Sequence, residues 1–302
     1  MTQLTTEVRH LPQAEPRPGS SVRIDPVDLQ QSTYGESFER LWSRHGYLLR
    51  QFTRRAFQQT YSGSALGLAW AIVTPLVMMA LYTFVFSVVF QNRYGVMPGE
   101  SRLDYAFGVF LSITTFGVFS DAFGSAPTAI SGQPNFVRKV VFPLAILPLA
   151  QVLASGIRYG LTMVLLVVAV VVSGRVLPAT AAWAPVLMAS VLLMTAGLAW
   201  LFSAVGVYLR DISQVASTLS LALFWASAVF FSLERVPDGF RQVMALNPIL
   251  QAIELLRGAL LWGVSPADRP GGLAVLAIGS LGLFFGGFWT FRRLQPAFAD
   301  VV

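Results

Sequence analysis

The most constraining feature of this sequence is a run without charge. From Leu68 to Phe90 there is no Asp, Glu, Lys or Arg, and across 56–99 only Arg93 interrupts. An α-helix needs about 20 apolar residues to cross a bilayer, and this run is long enough. The rest of the chain does not offset it. Of 302 residues, 55% are hydrophobic and 12% charged, against about 25% charged in an average soluble domain. A soluble monomer of this size has too little interior to hide so much apolar surface. The sequence therefore predicts an all-α integral membrane protein.

Further apolar runs give six spans. After 68–90 come Tyr105–Ala126, Leu144–Ser173, Ala181–Tyr208, Val215–Leu233 and Leu273–Phe291. Leu144–Ser173 exceeds the minimum, so it tilts or leaves its first turns at the interface. Residues 1–35 are polar and proline-rich, and read as a flexible cytoplasmic tail. With no apolar region near the start, insertion is directed by the first span itself. In 36–62 an apolar stripe through Leu41, Trp42, Leu48, Leu49 and Phe52 faces Arg40, Arg44, Arg50, Arg54 and Arg55. That pattern suits a helix lying in the membrane interface, and equally one packed on a neighbour. The six spans occupy 63–295. Within them, 234–271 holds two pieces too short to cross a bilayer. Pro237 and Asp238 open the first, and Asn247-Pro248 starts the second. Such pieces lie on the surface or dip in and return. Arg50, Arg54, Arg55, Arg138, Lys139, Arg210, Arg292 and Arg293 favour a cytoplasmic N-terminus, and an even span number places both termini there.

Composition excludes several chemistries. No cysteine is present, so thiolate metal sites and cysteine nucleophiles are absent. The two histidines, His10 and His45, precede the spans, which leaves no histidine metal site or proton relay in the membrane. The one lysine, Lys139, follows Arg138, so no Gly-Lys phosphate-binding loop can form. If the protein uses ATP, another chain must hydrolyse it. The net charge of +6 follows from arginines at membrane borders rather than from nucleic-acid binding.

The candidate functional residues are aromatic or charged. Tyr82 and Phe86 in the first span, Phe110 and Phe116 in the second, and Trp225 and Phe230 in the fifth offer ring faces to a passing sugar; lipid contact explains single rings equally well. Asp121 fits a proton site, a helix cap or a partner for a nearby arginine. Arg158 fits a lipid phosphate contact, a pair with Asp121, or a snorkelling side chain. Gly156 and Gly160 form a G-x-x-x-G pattern that permits close helix approach. The loop 132–143, basic and apolar between prolines, suits a short docking helix.

A family resemblance sits on specific residues. Gln59-Thr-Tyr-Ser-Gly-Ser-Ala-Leu-Gly-Leu-Ala-Trp-Ala-Ile-Val-Thr-Pro75, followed by Tyr82-Thr-Phe-Val-Phe86, resembles the start of permease subunits of polysaccharide ABC exporters, within the type-2 ABC exporter family. Asn135-Phe-Val-Arg-Lys-Val-Val-Phe-Pro143 is similar to the segment between that family's second and third spans. Arg210-Asp211-Ile212 and Asn247-Pro248 match its later loop and its last outer helix. The likeness runs in order over about residues 36–295.

The resemblance implies a six-span homodimer in the inner membrane that exports lipid-linked polysaccharide such as O-antigen or capsule. Two cytoplasmic ATPase subunits would bind ATP and Mg, and this chain would carry no cofactor, metal or catalytic site. Residues 131–141 would be the coupling helix, with Asn135, Phe136, Arg138 and Lys139 meeting the ATPase. The two pieces after span five would be re-entrant helices, and spans one, two and five would line the sugar path. Arg50, Arg54 and Arg55 are candidates for the lipid pyrophosphate near the entrance. The rival readings are a drug or small-lipid exporter of the same superfamily and an ion-coupled secondary transporter. The latter needs a midplane carboxylate.

Overall fold

The computed structural model describes residues 38–96, 99–138, 142–209 and 211–301, with the backbone alone at 38–44, 138 and 300. The tail expected over 1–35, Lys139 and Arg210 lie outside the described residues. All regular structure among the described residues is helical.

The first helix, α1 (Phe38–Gln59), uses its apolar stripe for packing. Leu49 is buried against Ile146 and Ala150. Phe52 meets Phe136 and Phe142 at ring distances of 5.7 and 5.2 Å. Arg50, Arg54 and Arg55 stay exposed on the other face. The first apolar span, Gly67–Val89, comprises a 3-10 turn, α2 (Trp70–Thr83) and a wider π-type stretch, Phe84–Val89. Within α2 only Ala71 is buried; its apolar side chains face outward.

At the centre of the bundle stands α3 (Arg102–Ser125), with Val109, Leu111 and Val118 fully buried. It starts sharply because Ser101 and Asp104 satisfy each other's backbone N–H, at 3.3 and 2.8 Å. Arg175 pairs with Asp104 and donates to Ser101 Oγ at 2.6 Å. Within the segment 131–141, whose last three residues lie outside the described ones, the helix α4 covers Pro134–Arg138. It opens on Pro134, whose missing N–H costs nothing in a first turn. The next helix, α5 (Ile146–Val172), has 27 residues, about 40 Å at 1.5 Å per residue. Its first turn is covered by α1, which accounts for length beyond a bilayer.

Two 25-residue helices, α6 (Ala184–Tyr208) and α10 (Pro270–Leu294), pack most closely. They cross at Gly197 and Gly287, where a Cβ on either would run into the other helix's backbone. Their C-terminal ends meet where the Tyr208 hydroxyl donates to the Leu294 carbonyl at 3.0 Å.

The fifth expected span differs. Val215–Leu233 reads as one apolar run, but α7 covers Ile212–Trp225, 14 residues, about 21 Å. Beyond it the chain leaves the helix, with Ala228 at φ +50°. Side chains from elsewhere pair the freed carbonyls. Asn247 donates to Ala226 O at 3.3 Å, Tyr94 to Val229 O at 2.9 Å and Tyr105 to Phe230 O at 2.8 Å; Arg257 reaches Phe231 O at 3.4 Å. Irregular backbone at membrane depth is tolerated only when the protein satisfies it in this way. Hydropathy reports burial, not helicity, so the break was invisible to it.

Next come α8 (Asp238–Ala245) and α9 (Pro248–Arg257), the latter extended by a wider turn to Trp262 and bent 97° from α8. Both begin where Pro237-Asp238 and Asn247-Pro248 predict. The Asn247 side chain caps α9 by accepting from the Ile249 N–H at 3.1 Å. Every residue of Ile249–Arg257 is buried in the bundle. Its polar members pair internally, with Arg257 Nη2 2.6 Å from Glu254 Oε1. A short α11 (Phe298–Val301) ends the described chain. Among the described residues five helices are long and apolar enough to cross a membrane, and the bent pair of α8 and α9 is the sixth candidate crossing or a re-entrant loop.

Candidate functional site

The six candidate sugar-path aromatics come together. Tyr82 lies 6.2 Å from Phe86 and 6.3 Å from Phe110, ring centre to ring centre. Phe86 meets Phe230 at 5.7 Å, and Phe230 meets Trp225 at 5.8 Å. Phe224 completes the chain, 5.7 Å from Phe230 and 5.2 Å from Phe116. These are spacings at which aromatic pairs attract. Phe110 and Phe116 are nearly buried, at 3% and 4% exposure, whereas Trp225 is 61% exposed. Phe224, beside Trp225 in the aromatic run of the fifth expected span, stands outside the six candidates. Tyr105, 5.7 Å from Phe86, was missed; its hydroxyl holds the broken span.

Two clefts of about 370 Å3 each border this ring chain. Ile113 and Tyr159 line both. One cleft runs along α2, with Tyr61, Trp70, Tyr82, Phe110 and Arg158. The other lies between α3 and α7, with Phe116, Ser120, Asp121, Ser220 and Phe224. Arg158 and Asp121 form an ion pair across the ridge between them, which decides among the alternatives open for both residues. The pair is well supported. Ser155 Oγ lies 3.2 Å from Asp121 Oδ2 and accepts from Arg158 Nη2 at 2.9 Å, while Arg158 Nη1 donates to Thr60 Oγ1 at 3.1 Å. The Tyr159 hydroxyl lies 3.4 Å from Asp121 Oδ1. Burial raises the Tyr61 phenol above its ordinary pKa, against the pull of Arg158 and with a contribution from Asp121, so it is a neutral donor at physiological pH. Tyr159 lies against Gly117, where a Cβ would strike its ring. Of the G-x-x-x-G pair, Gly156 is close to Leu192 and Gly160 faces open space, so the pattern is half used.

A third groove, about 400 Å3, opens between α1, α4 and the start of α5. It joins residues read from the sequence as two separate sets: Arg55 of the entrance group, and Asn135 and Phe136 of the coupling group. Arg50 and Arg54 are exposed outside it. Arg138 ends α4.

The ABC-2 type transporter profile matches residues 47–261, from mid-α1 to the turn after α9. The chain belongs to this family. Among relatives of this ABC-2 type transporter, the O-antigen export system permease protein RfbA of Klebsiella pneumoniae is 21% identical over 256 residues, 84% of this chain and 95% of its own length. RfbA of Myxococcus xanthus is 25% identical over 257 residues, with the same coverage. The polysialic acid transport protein KpsM of Escherichia coli is 25% identical over 247 residues, 80% of this chain and 92% of its own. The family's stretch thus includes the ring chain, both clefts, the α1–α4–α5 groove and the broken span.

Proposed function

We propose that this chain is the membrane-spanning subunit of an ATP-driven exporter that moves lipid-linked polysaccharide, such as O-antigen or capsule, across the inner membrane. The observation that carries the reading is end-to-end similarity to proteins named as O-antigen and polysialic acid exporters. The continuous ring chain supports it. Stacked rings hold the C–H faces of sugars without strong directional bonds, so a polymer can slide.

In this reading two copies of the chain work with two ATPase subunits, which bind ATP and Mg. The chain itself carries no catalytic site, cofactor or metal. Both termini are cytoplasmic, and α1 lies at the inner membrane interface. ATP binding draws the ATPases together, and their motion is transmitted through Asn135, Phe136, Arg138 and Lys139 of the coupling segment. Phe136 passes it on, because its ring packs on Phe52 of α1 and lies 4.8 Å from Phe142 ahead of α5. Arg50, Arg54 and Arg55 attract the lipid pyrophosphate near the entrance. The glycan then passes Tyr82, Phe86, Phe110, Phe116, Trp225 and Phe230, and α8 and α9 shape the exit. The ion-coupled alternative needs a midplane carboxylate, and Asp121 lies in the last turns of α3.

The test is ATP turnover by the purified chain with and without its ATPase, together with polymer analysis of a deletion strain. Turnover appears only with the ATPase, and the deletion strain accumulates polymer on the cytoplasmic face. Turnover by this chain alone, or a deletion without polymer accumulation, overturns the proposal.

A further inference from the structure

Charged side chains on helices that cross a membrane are expensive, and Asp121 and Arg158 lie on two helices long and apolar enough to do so. Where the need is only to hold two helices together, apolar packing of similar volume serves as well or better. The pair joining α3 to α5 is therefore unexpected as mere glue. It is also accessible, with side-chain exposures of 25% for Arg158 and 33% for Asp121. Arg158 lines the cleft along α2 and Asp121 the cleft beside α7, and the two clefts adjoin at Ile113 and Tyr159. Hydroxyl groups surround them. Tyr61 and Thr60 line the Arg158 side, and Ser120 and Ser220, 3.1 Å apart, line the Asp121 side. Aromatic faces complete both clefts. Each volume lies within the range of about 300–1,000 Å3 typical of small-ligand sites.

We propose that Asp121 and Arg158, with Tyr61, Tyr159, Ser120 and Ser220, form a subsite that reads the hydroxyl groups of a sugar unit in the exported glycan. This rests on the export reading and deepens it. The ring chain provides sliding contact that any pyranose can use, whereas the ion pair adds direction. A carboxylate accepts from hydroxyl groups, a guanidinium donates to hydroxyl or ring oxygens, and together they select by stereochemistry. Asp121 Oδ1 has capacity to spare, since its contact with the Tyr159 hydroxyl, at 3.4 Å, exceeds the usual 2.5–3.0 Å of an O–H···O bond. The pair is electrically neutral as a unit, which suits a polyol. A phosphate group would have to displace a carboxylate that Ser155 also contacts.

The experiment uses the complete complex of this chain and its ATPase in nanodiscs. The probe is lipid-linked polymer extracted from a strain lacking this chain, and the readout is the polymer concentration giving half-maximal stimulation of ATP turnover. Asp121→Asn and Arg158→Gln each raise that concentration about tenfold. The exchange D121R/R158D retains an ion pair between α3 and α5 but reverses its chemistry, and it does not restore the wild-type value. Restoration by the exchange shows a clamp only and overturns the subsite. Tighter binding in Asp121→Asn overturns it in favour of an anionic headgroup, because loss of the carboxylate would relieve repulsion. If these variants do not reach the membrane, the pair S120A/S220A leaves the ion pair intact and decides. A rise of severalfold supports the subsite, and a wild-type value overturns it. Should the wild-type complex show no response to polymer and the deletion strain accumulate none, the export reading falls, taking the subsite with it. A failure confined to the variants removes the subsite alone.

Discussion

At the residue scale, close approach and buried charge dominate. At Gly197 and Gly287 the backbones of α6 and α10 are too close for any side chain. Gly287→Ala therefore lowers stability by about 3 kcal/mol, the upper range for overpacking a core, seen as a fall in the thermal midpoint of the detergent-solubilised protein. Arg257 is fully buried, paired with Glu254 and stacked 4.4 Å over the Tyr94 ring. Arg257→Met leaves the buried Glu254 charge with only the longer contact to Arg269, at 3.7 Å, and costs about 3 kcal/mol, the lower end for a broken buried pair. Adding Glu254→Gln to that variant recovers part of the loss, which separates unpaired charge from lost packing. Tyr94 gives a pH signature. Burial, opposed by Arg257, pushes its phenol from 10.0 up to about 12. The fold thus favours the protonated phenol. That stabilisation is complete below pH 10 and is lost as pH rises through 12. Tyr94→Phe removes the bond to Val229 O, costs about 1 kcal/mol at neutral pH and flattens the alkaline loss. An equally steep decline above pH 10 in the variant would assign that decline to other groups.

At the element scale, the sequence reads some features well and others not at all. The starts of α8 and α9 are legible because proline and Asn247 act locally. The stripe of α1 is legible because Leu49 and Phe52 recur at helical spacing; its packing partner, α5, is not. The end of α7 is illegible because Ala226–Phe231 is apolar whether helical or not. Its non-helical path depends on Tyr94, Tyr105, Asn247 and Arg257, donors from distant parts of the chain. The same distance effect hides the clefts. Asp121 and Arg158 are conspicuous singly, and their union with Thr60 and Ser155 requires three segments to meet. The groove joining α1, α4 and α5 yields a prediction of its own. Phe136→Ala removes the ring linking α4 to Phe52 and Phe142. Export falls at least tenfold while the ATPase still co-purifies, whereas R138E/K139E releases the ATPase. Loss of ATPase binding in Phe136→Ala would instead make Phe136 part of the docking surface itself.

At the scale of the whole molecule, the clefts and the ring chain lie on a side of the bundle that the described residues leave open. The first span exposes Leu76 and Val77 on α2 and Phe84 just after it, and α7 exposes Leu219, Leu221 and Trp225. These helices flank the clefts, so a second copy facing the first across α2 and α7 would close two open grooves into one enclosed path. Lipid on that side would leave a sugar's hydroxyl groups against hydrocarbon, at a cost of several kcal/mol per unsatisfied group. A polysaccharide conduit on this chain therefore needs a cover on that side, which a second copy would supply in the proposed homodimer. Because the chain has no cysteine, single introduced thiols report proximity without background. Leu221→Cys on α7 forms an intermolecular disulfide on mild oxidation in membranes, and export by the oxidised complex stops. Ile278→Cys on the outward face of α10, 73% exposed, stays monomeric under the same oxidation. The reverse pattern would move the contact between copies to α10 and leave the clefts facing lipid, which is incompatible with a sugar path along Phe116, Phe224 and Trp225.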